Sequence, residues 1–267
     1  MKPDSIINIS KEVTKFSPEV YKDALKPSFQ NVGKALGTVT NLVNTFLTPF
    51  ELFNESISIK KEKWLKDYEE KVNAIPSDKH CDPNFEIIAP MVDHLKFKIT
   101  EDTLAEKYAQ LLSAASHYDG LTKPLLSFDN VLNQLSPYEV ELITQIFANS
   151  IEQIYALGSI KEISDTGHRY LCKDIPIIPF KDLQIETITV MISNFERLGL
   201  VKIDFSQSMH PDDSYNYITN SPQFLKMKHL YQEERKKTML SYPDCILEKG
   251  VFYLTEFGKS FTETVIR

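Results

Sequence analysis

Few residues in this chain are spaced for chemistry. His80-Cys81-Asp82 is the densest set of metal-ligand types. A metal cage needs several deprotonated ligands converging in a compact geometry, and three contiguous residues do not close one alone. His94, His117 and His168 lie scattered along the chain. The expectation is a locally satisfied loop, with no metal and no cofactor.

Nucleophilic and phosphate chemistry find no support. There is no Gly-x-Ser-x-Gly elbow to expose a nucleophilic serine. Neither G-x-x-x-x-G-K-[ST] nor G-x-G-x-x-G is present to cradle phosphates. Helical ribonucleases use an Arg followed a few residues later by His, but Arg169, Arg197, Arg235 and Arg267 have no His four to seven positions downstream. Glu69-x-Lys71 has the spacing of a nuclease pair but sits in a charged helical run, where solvated ion pairs explain it. No catalytic residue is assigned.

Nucleic-acid binding would need basic side chains on a reading element. The segment from Leu183 to Leu198 has a helical period and leads into an alternating stretch, the placement of a recognition helix. Its charges are Glu186, Glu196 and Arg197, which would repel phosphate. Basic residues gather further on, at Lys226, Lys228, Arg235, Lys236 and Lys237, against Glu233 and Glu234. That candidate basic patch reads more simply as a solvated helix face.

The elements that must position these residues are mostly helical. From Val32 to Phe53 apolar residues recur at steps of three and four, opposite a face of Thr38, Thr40, Asn41, Asn44, Thr45 and Thr48. Half of the stretch is polar or Gly, too much for a membrane-spanning segment. Pro49 is expected to kink or interrupt the helix. Its apolar stripe packs against the next helix in one reading; in the other the helix lies on a partner or a membrane. Gly33, Gly37, Asn41, Asn44 and Thr48 are then the candidate interaction surface. Further helices are expected at about 54–75, 85–98, 101–116, capped by Thr100, and 124–134. Leu135-Ser136-Pro137-Tyr138-Glu139 spells a capping box with Pro at the first helical position. That helix is expected to run to about Tyr155. Another covers 183–198 and stops at Gly199, a strand comes next at 200–205, and a second strand at 251–254 precedes a helix from Thr255 to about Ile266. Between the strands, residues 206–249 hold a helix at about 222–240.

The predicted fold is mainly α: a helical hairpin or bundle over 1–134, then a winged-helix-like domain over 135–267 with a small β-wing elaborated at about 206–249. Composition agrees. With 42% hydrophobic residues, 25% charged residues and only 8 Gly in 267, the chain is neither disordered nor all-β. The net charge of −7 rules out a chain-wide attraction to DNA or anionic lipid. Three isolated cysteines, Cys81, Cys172 and Cys245, read as reduced thiols. The first residues show no apolar leader core, so a cytoplasmic protein is expected, with contact at the inner membrane as the variant.

Several short motifs carry a resemblance. Gly33-Lys34-Ala35-Leu36-Gly37, Asn41-Leu42-Val43-Asn44 and Leu52-Phe53-Asn54-Glu55 lie early. Ala109-Gln110-Leu111-Leu112, Leu135-Ser136-Pro137 and Leu198-Gly199-Leu200-Val201 come later, and Leu254-Thr255-Glu256-Phe257-Gly258-Lys259-Ser260-Phe261 closes the series. Together they resemble the bacterial abortive-infection alpha (Abi-alpha) family from about residue 30 to residue 261. The resemblance implies a role in stopping phage propagation and carries no catalytic residues. The expectation is a defence protein acting through protein contacts or membrane perturbation, with a protein partner, a phage component or a second copy of the chain bound. The alternatives are a winged-helix DNA-binding regulator and an enzyme with a dispersed site.

Overall fold

In a computed structural model, the apolar stripe beginning at Val32 becomes helix α1 (Val32–Glu51), which buries Val39, Leu42, Val43 and Leu47. The structure describes residues 32–52, 54–148, 150–164, 167–178, 180–181, 183–210, 212–237 and 244–267. They form two compact units, one of residues up to Glu141 with Thr264–Arg267, the other Leu142–Glu263. The division falls inside a helix. The chain is mostly helical with one small antiparallel sheet.

The first unit is a helix bundle. After α1 come α2 (Glu55–Asn73), α3 (Phe85–Lys98), α4 (Asp102–Ala114) and α5 (Leu125–Gln134). Asn54 and Asn84 cap α2 and α3, their side chains accepting from the backbone N–H of Ser56 and Glu86. The N-cap of α4 is Glu101 in place of the expected Thr100. Its extended backbone ends the turn there without a side-chain bond, so residue type misplaced the cap by one position. Pro49 does not interrupt α1, which ends two residues later; so close to the C-terminus the missing donor has little helix left to break. The core is filled by aromatic and aliphatic side chains. Trp64 stacks on Tyr68 at 5.4 Å and its Nε1 donates to the Ala105 carbonyl at 2.7 Å. Lys107, buried along its stem, donates to the Ile266 carbonyl at 3.1 Å and ties the C-terminal residues to α4.

Helix α6 (Pro137–Phe147) opens on the expected capping box. The Ser136 N–H donates to Glu139 Oε2 at 2.8 Å, and the Glu139 N–H donates to Ser136 Oγ at 3.3 Å. The helix stops at Phe147, well short of Tyr155. The next segment corrects the expectation, because a hairpin of β1 (Tyr155–Ser164) and β2 (Gly167–Pro176) stands where helix and loop were expected. Tyr155 instead starts β1, stacking on Phe252 and donating to the Ile146 carbonyl at 2.5 Å. Helix α7 (Ile185–Arg197) and β3 (Val201–Asp204) come next. A short helix α8 (Asn216–Thr219) and α9 (Pro222–Lys237) then occupy the long connection to β4 (Asp244–Leu254). Helix α10 (Glu256–Phe261) and a π-helical turn end the chain.

The four strands are ordered β2-β1-β4-β3, all neighbours antiparallel. Two strands were expected in this region, and the second begins seven residues earlier than predicted. The β1–β2 ladder slips twice near Ile160. Opposite that slip Asp174 takes φ 54°, and its N–H donates to the buried Ser159 hydroxyl at 3.0 Å. A bulge places one residue out of register, and Asp tolerates the left-handed backbone it requires. One sheet face carries Ile160 and Cys245, covered by Ile218 and Phe224 from the connection.

Candidate functional site

The predicted interaction surface lies on α1. Asn41 and Thr48 are exposed and Asn44 is half-buried. Two threonines of this face turn inward to their own helix: Thr45 Oγ1 donates to the Asn41 carbonyl at 2.7 Å and Thr48 Oγ1 to the Asn44 carbonyl at 2.6 Å. Such back-bonding explains how the face stays polar without charge. Among the described residues, a Cβ on Gly37 would meet no atom within 4 Å, so none of their helices comes close to it. Gly33 lies in α1, but its surroundings fall outside what is described. Among the described residues no helix is long and apolar enough to cross a membrane.

The candidate basic patch belongs to α9. Lys226 and Lys228 are exposed, while the side chains of Arg235, Lys236 and Lys237 lie outside the described residues. Phe224, Met227 and Tyr231 of the same helix pack toward the sheet.

His80 and Cys81 are tied both to the preceding turn and to the distant residues 115–117, and the buried His80 Nδ1 has no partner among the described residues. His80 Nε2 lies 3.1 Å from the Ile75 carbonyl, and the Cys81 thiol donates to the Ala115 carbonyl at 3.7 Å. His80 also bridges His117 through backbone pairing. Among the described residues, no three His, Cys, Asp or Glu side chains converge on a metal position.

A dyad that the sequence did not reveal sits in the bundle. His94 Nδ1 on α3 lies 3.0 Å and 2.9 Å from the two oxygens of Asp129 on α5. Asp129 is 1% exposed. Burial pushes its carboxyl above the usual carboxylate range; the His94 hydrogen bond and charge partly offset this, and Asp93 adds to the rise. Tyr108 from α4 is raised too, by burial and the Asp129 charge, and its hydroxyl has no partner among the described residues. A carboxyl whose folded pKa is raised holds its proton better in the folded chain than in the unfolded one. Its contribution to stability is therefore full below about pH 4 and is lost as pH rises through the folded value. Asp129→Asn removes that titration. Melting temperatures measured against pH are expected to show the variant gaining on the parent above about pH 4; parallel curves would show that Asp129 does not titrate in this way.

A concavity lies on the sheet unit. It is an open cleft of about 690 Å³ between the start of α7 and the α8–α9 corner, floored by Ile160, Ile175 and Ile218. Its size falls in the range of small-molecule sites. Its rim residues are dispersed from Cys172 to Met227, so no local motif announced it.

The late motifs of the sequence meet in one contact. Gly199, at φ 75°, ends α7. The Thr255 hydroxyl donates to the Gly199 carbonyl at 2.5 Å, and the Thr255 N–H to the Leu200 carbonyl at 3.0 Å. A Cβ built on Gly258 would stand 1.9 Å from the Leu200 carbonyl oxygen. Leu198-Gly199-Leu200 and Leu254-Thr255-Glu256-Phe257-Gly258 thus interlock. In comparison with known families, residues 58–265 match abortive infection alpha.

The chain belongs to the abortive infection alpha family. No curated protein and no solved structure matches it. The family match begins inside α2, so the interlock, the capping box and the cleft fall within it, while Gly33–Phe53 precedes it. The early motifs that contributed to the resemblance lie outside the matched residues. Family membership points to abortive-infection-type defence.

Proposed function

We propose that this chain limits phage propagation through contacts that the folded protein makes with a protein partner or a phage component, or through perturbation of a membrane surface. The observation that carries this reading is the family match over residues 58–265. The motifs that support membership cap helices and join stretches of main chain, through the Ser136 and Glu139 side chains and through Thr255, and these contacts form no nucleophile–base pair. The test is plating of a phage panel on cells with and without the protein.

Within that reading, the uncharged face of α1 is the proposed contact surface. Uncharged Asn and Thr are covered by a partner or lipid headgroup at less cost than Lys or Glu. Replacing Asn41, Asn44 and Thr48 together with Ala leaves the buried stripe intact. The expected result is loss of anti-phage activity with a melting temperature within about 2 °C of the parent, since surface changes of this kind are close to neutral. Retained activity in a folded variant removes α1 from the mechanism.

A winged-helix-like reading of the second unit is supported by α7 running into β3, a long excursion, and β4 returning beside β3. The β1–β2 hairpin separates α6 from α7, so these two helices are not joined by the short turn of a helix-turn-helix. Exposed Glu186, Glu196 and Arg197, with Val190 68% exposed, give α7 an acidic and apolar outer face. Such a face favours protein over DNA.

A further inference from the structure

We propose that the cleft between α7 and the α8–α9 corner binds an uncharged, flat heterocyclic molecule with neighbouring hydrogen-bond donors and acceptors on its edge, a class represented by the nucleosides. The inference does not rest on the defence reading, because binding is measured on the purified chain.

Three features define the ligand. The floor is apolar: Ile160, Ile175 and Ile218 are joined by Met227, whose flexible thioether adapts to a ring. Asn216 and Ser221 are bonded to Asp213 and to the Phe224 N–H, but three neutral polar groups of the lining are unused. Among the described residues, the side chains of Gln184, Thr189 and Asn220 hydrogen-bond to nothing. Each carboxamide offers both a donor and an acceptor, which matches the edge of a base better than it matches a carboxylate or an ammonium. Finally, the rim holds one cation, Lys173, and one anion, Glu186. A phosphate ester needs a cluster of donors and positive charge, and a cationic ligand needs the reverse, so the balanced pair selects neither. Tyr217, 60% exposed, stands at the mouth with a ring free to cover a flat ligand.

The cleft explains the long connection between β3 and β4. Without α8 and the start of α9, one wall would be missing and Ile160 would face water. The wall residues are short-range turn and helix-end positions, Asn220 following α8 and Gln184 preceding α7. Neither side chain caps its helix, so both can be replaced without loosening it.

The test is isothermal titration calorimetry of the full chain with adenosine, guanosine, cytidine and uridine. At least one is expected to bind saturably at one site per chain. Gln184→Leu and Asn220→Leu are each expected to weaken that binding about tenfold, the loss of one ordinary hydrogen bond, with unchanged melting temperatures. Cys172 lines the cleft and is exposed, whereas Cys245 is buried. Saturating nucleoside is expected to slow alkylation of Cys172 by N-ethylmaleimide several-fold, which places the ligand. Binding of none of the four, unaltered affinity in both variants, or no protection of Cys172 overturns the proposal. Tenfold tighter binding of the 5′-monophosphate than of its nucleoside overturns the uncharged class.

Discussion

Gly258→Ala is expected to destabilise the sheet unit by about 3 kcal/mol or more, at the upper end of what overpacking costs. The reason is geometric. The added methyl would sit 1.9 Å from a backbone oxygen, Leu200 O, and 2.8 Å from its carbon. A flexible side chain could turn away, but this neighbour is main chain and is also held by the Thr255 N–H at 3.0 Å. The start of α10 must therefore move off the α7–β3 corner. That motion opens the Thr255–Gly199 bond and exposes the buried Leu254 and Phe261. Urea denaturation followed by circular dichroism is the measurement. A midpoint within error of the parent would show that the interlock is slack.

Trp64→Ala should have a comparable effect on the helix bundle, about 3–5 kcal/mol, the usual cost of emptying a buried aromatic site. Trp64 is 2% exposed, lies nearly parallel to Tyr68 at an interplanar angle of 3°, and bonds the Ala105 carbonyl across from α2 to α4. Truncation removes the stack, the hydrogen bond and the filler between those helices together. Trp64→Phe keeps a ring in the site and is expected to cost roughly half as much, separating packing from the indole hydrogen bond. Because Trp64 is the only tryptophan, the unfolding of both variants is followed by circular dichroism at 222 nm. Equal losses in the two variants would assign the whole effect to the hydrogen bond.

The two substitutions also show what the sequence made legible. Trp64, Tyr68 and Val72 recur at helical spacing, and the bundle emerged from that period with ends close to those observed. The capping box at Ser136 was equally readable, because three residues suffice to define it. The β1–β2 hairpin was not. β1 carries Gly158, Ser159, Lys161 and Glu162 in its middle, and β2 is an edge strand exposed along most of its length. A strand with polar side chains on both faces shows no alternation, so period alone cannot find it. The remaining signals were Gly167 at the turn and the aromatic pair His168 and Tyr170, which contact edge-to-face at 5.8 Å.

The candidate sites divide along the same line. Lys226 and Lys228 are exposed on α9, and a charge run on a helix is a local fact that sequence shows. Asp129 and His94 come from different helices, and nothing in sequence pairs them. The cleft is more dispersed still. Gln184, Thr189 and Asn220 become neighbours only because the hairpin supplies the floor and the β3–β4 connection folds back over it. The motifs Leu198-Gly199-Leu200 and Thr255 to Gly258 were visible, yet their role as two halves of one backbone contact needed coordinates.

One-step phage growth on cells expressing the chain measures whether this member of the abortive infection alpha family interrupts phage multiplication. The burst from cells carrying the parent protein is expected to fall at least tenfold against an empty vector, with infected cells failing to survive. Gly258→Ala, which loosens the fold without touching the α1 face or the cleft rim, is expected to restore the burst. An undiminished burst across a broad phage panel, with the parent chain shown to be folded and present, would mean that the chain does not interrupt phage multiplication.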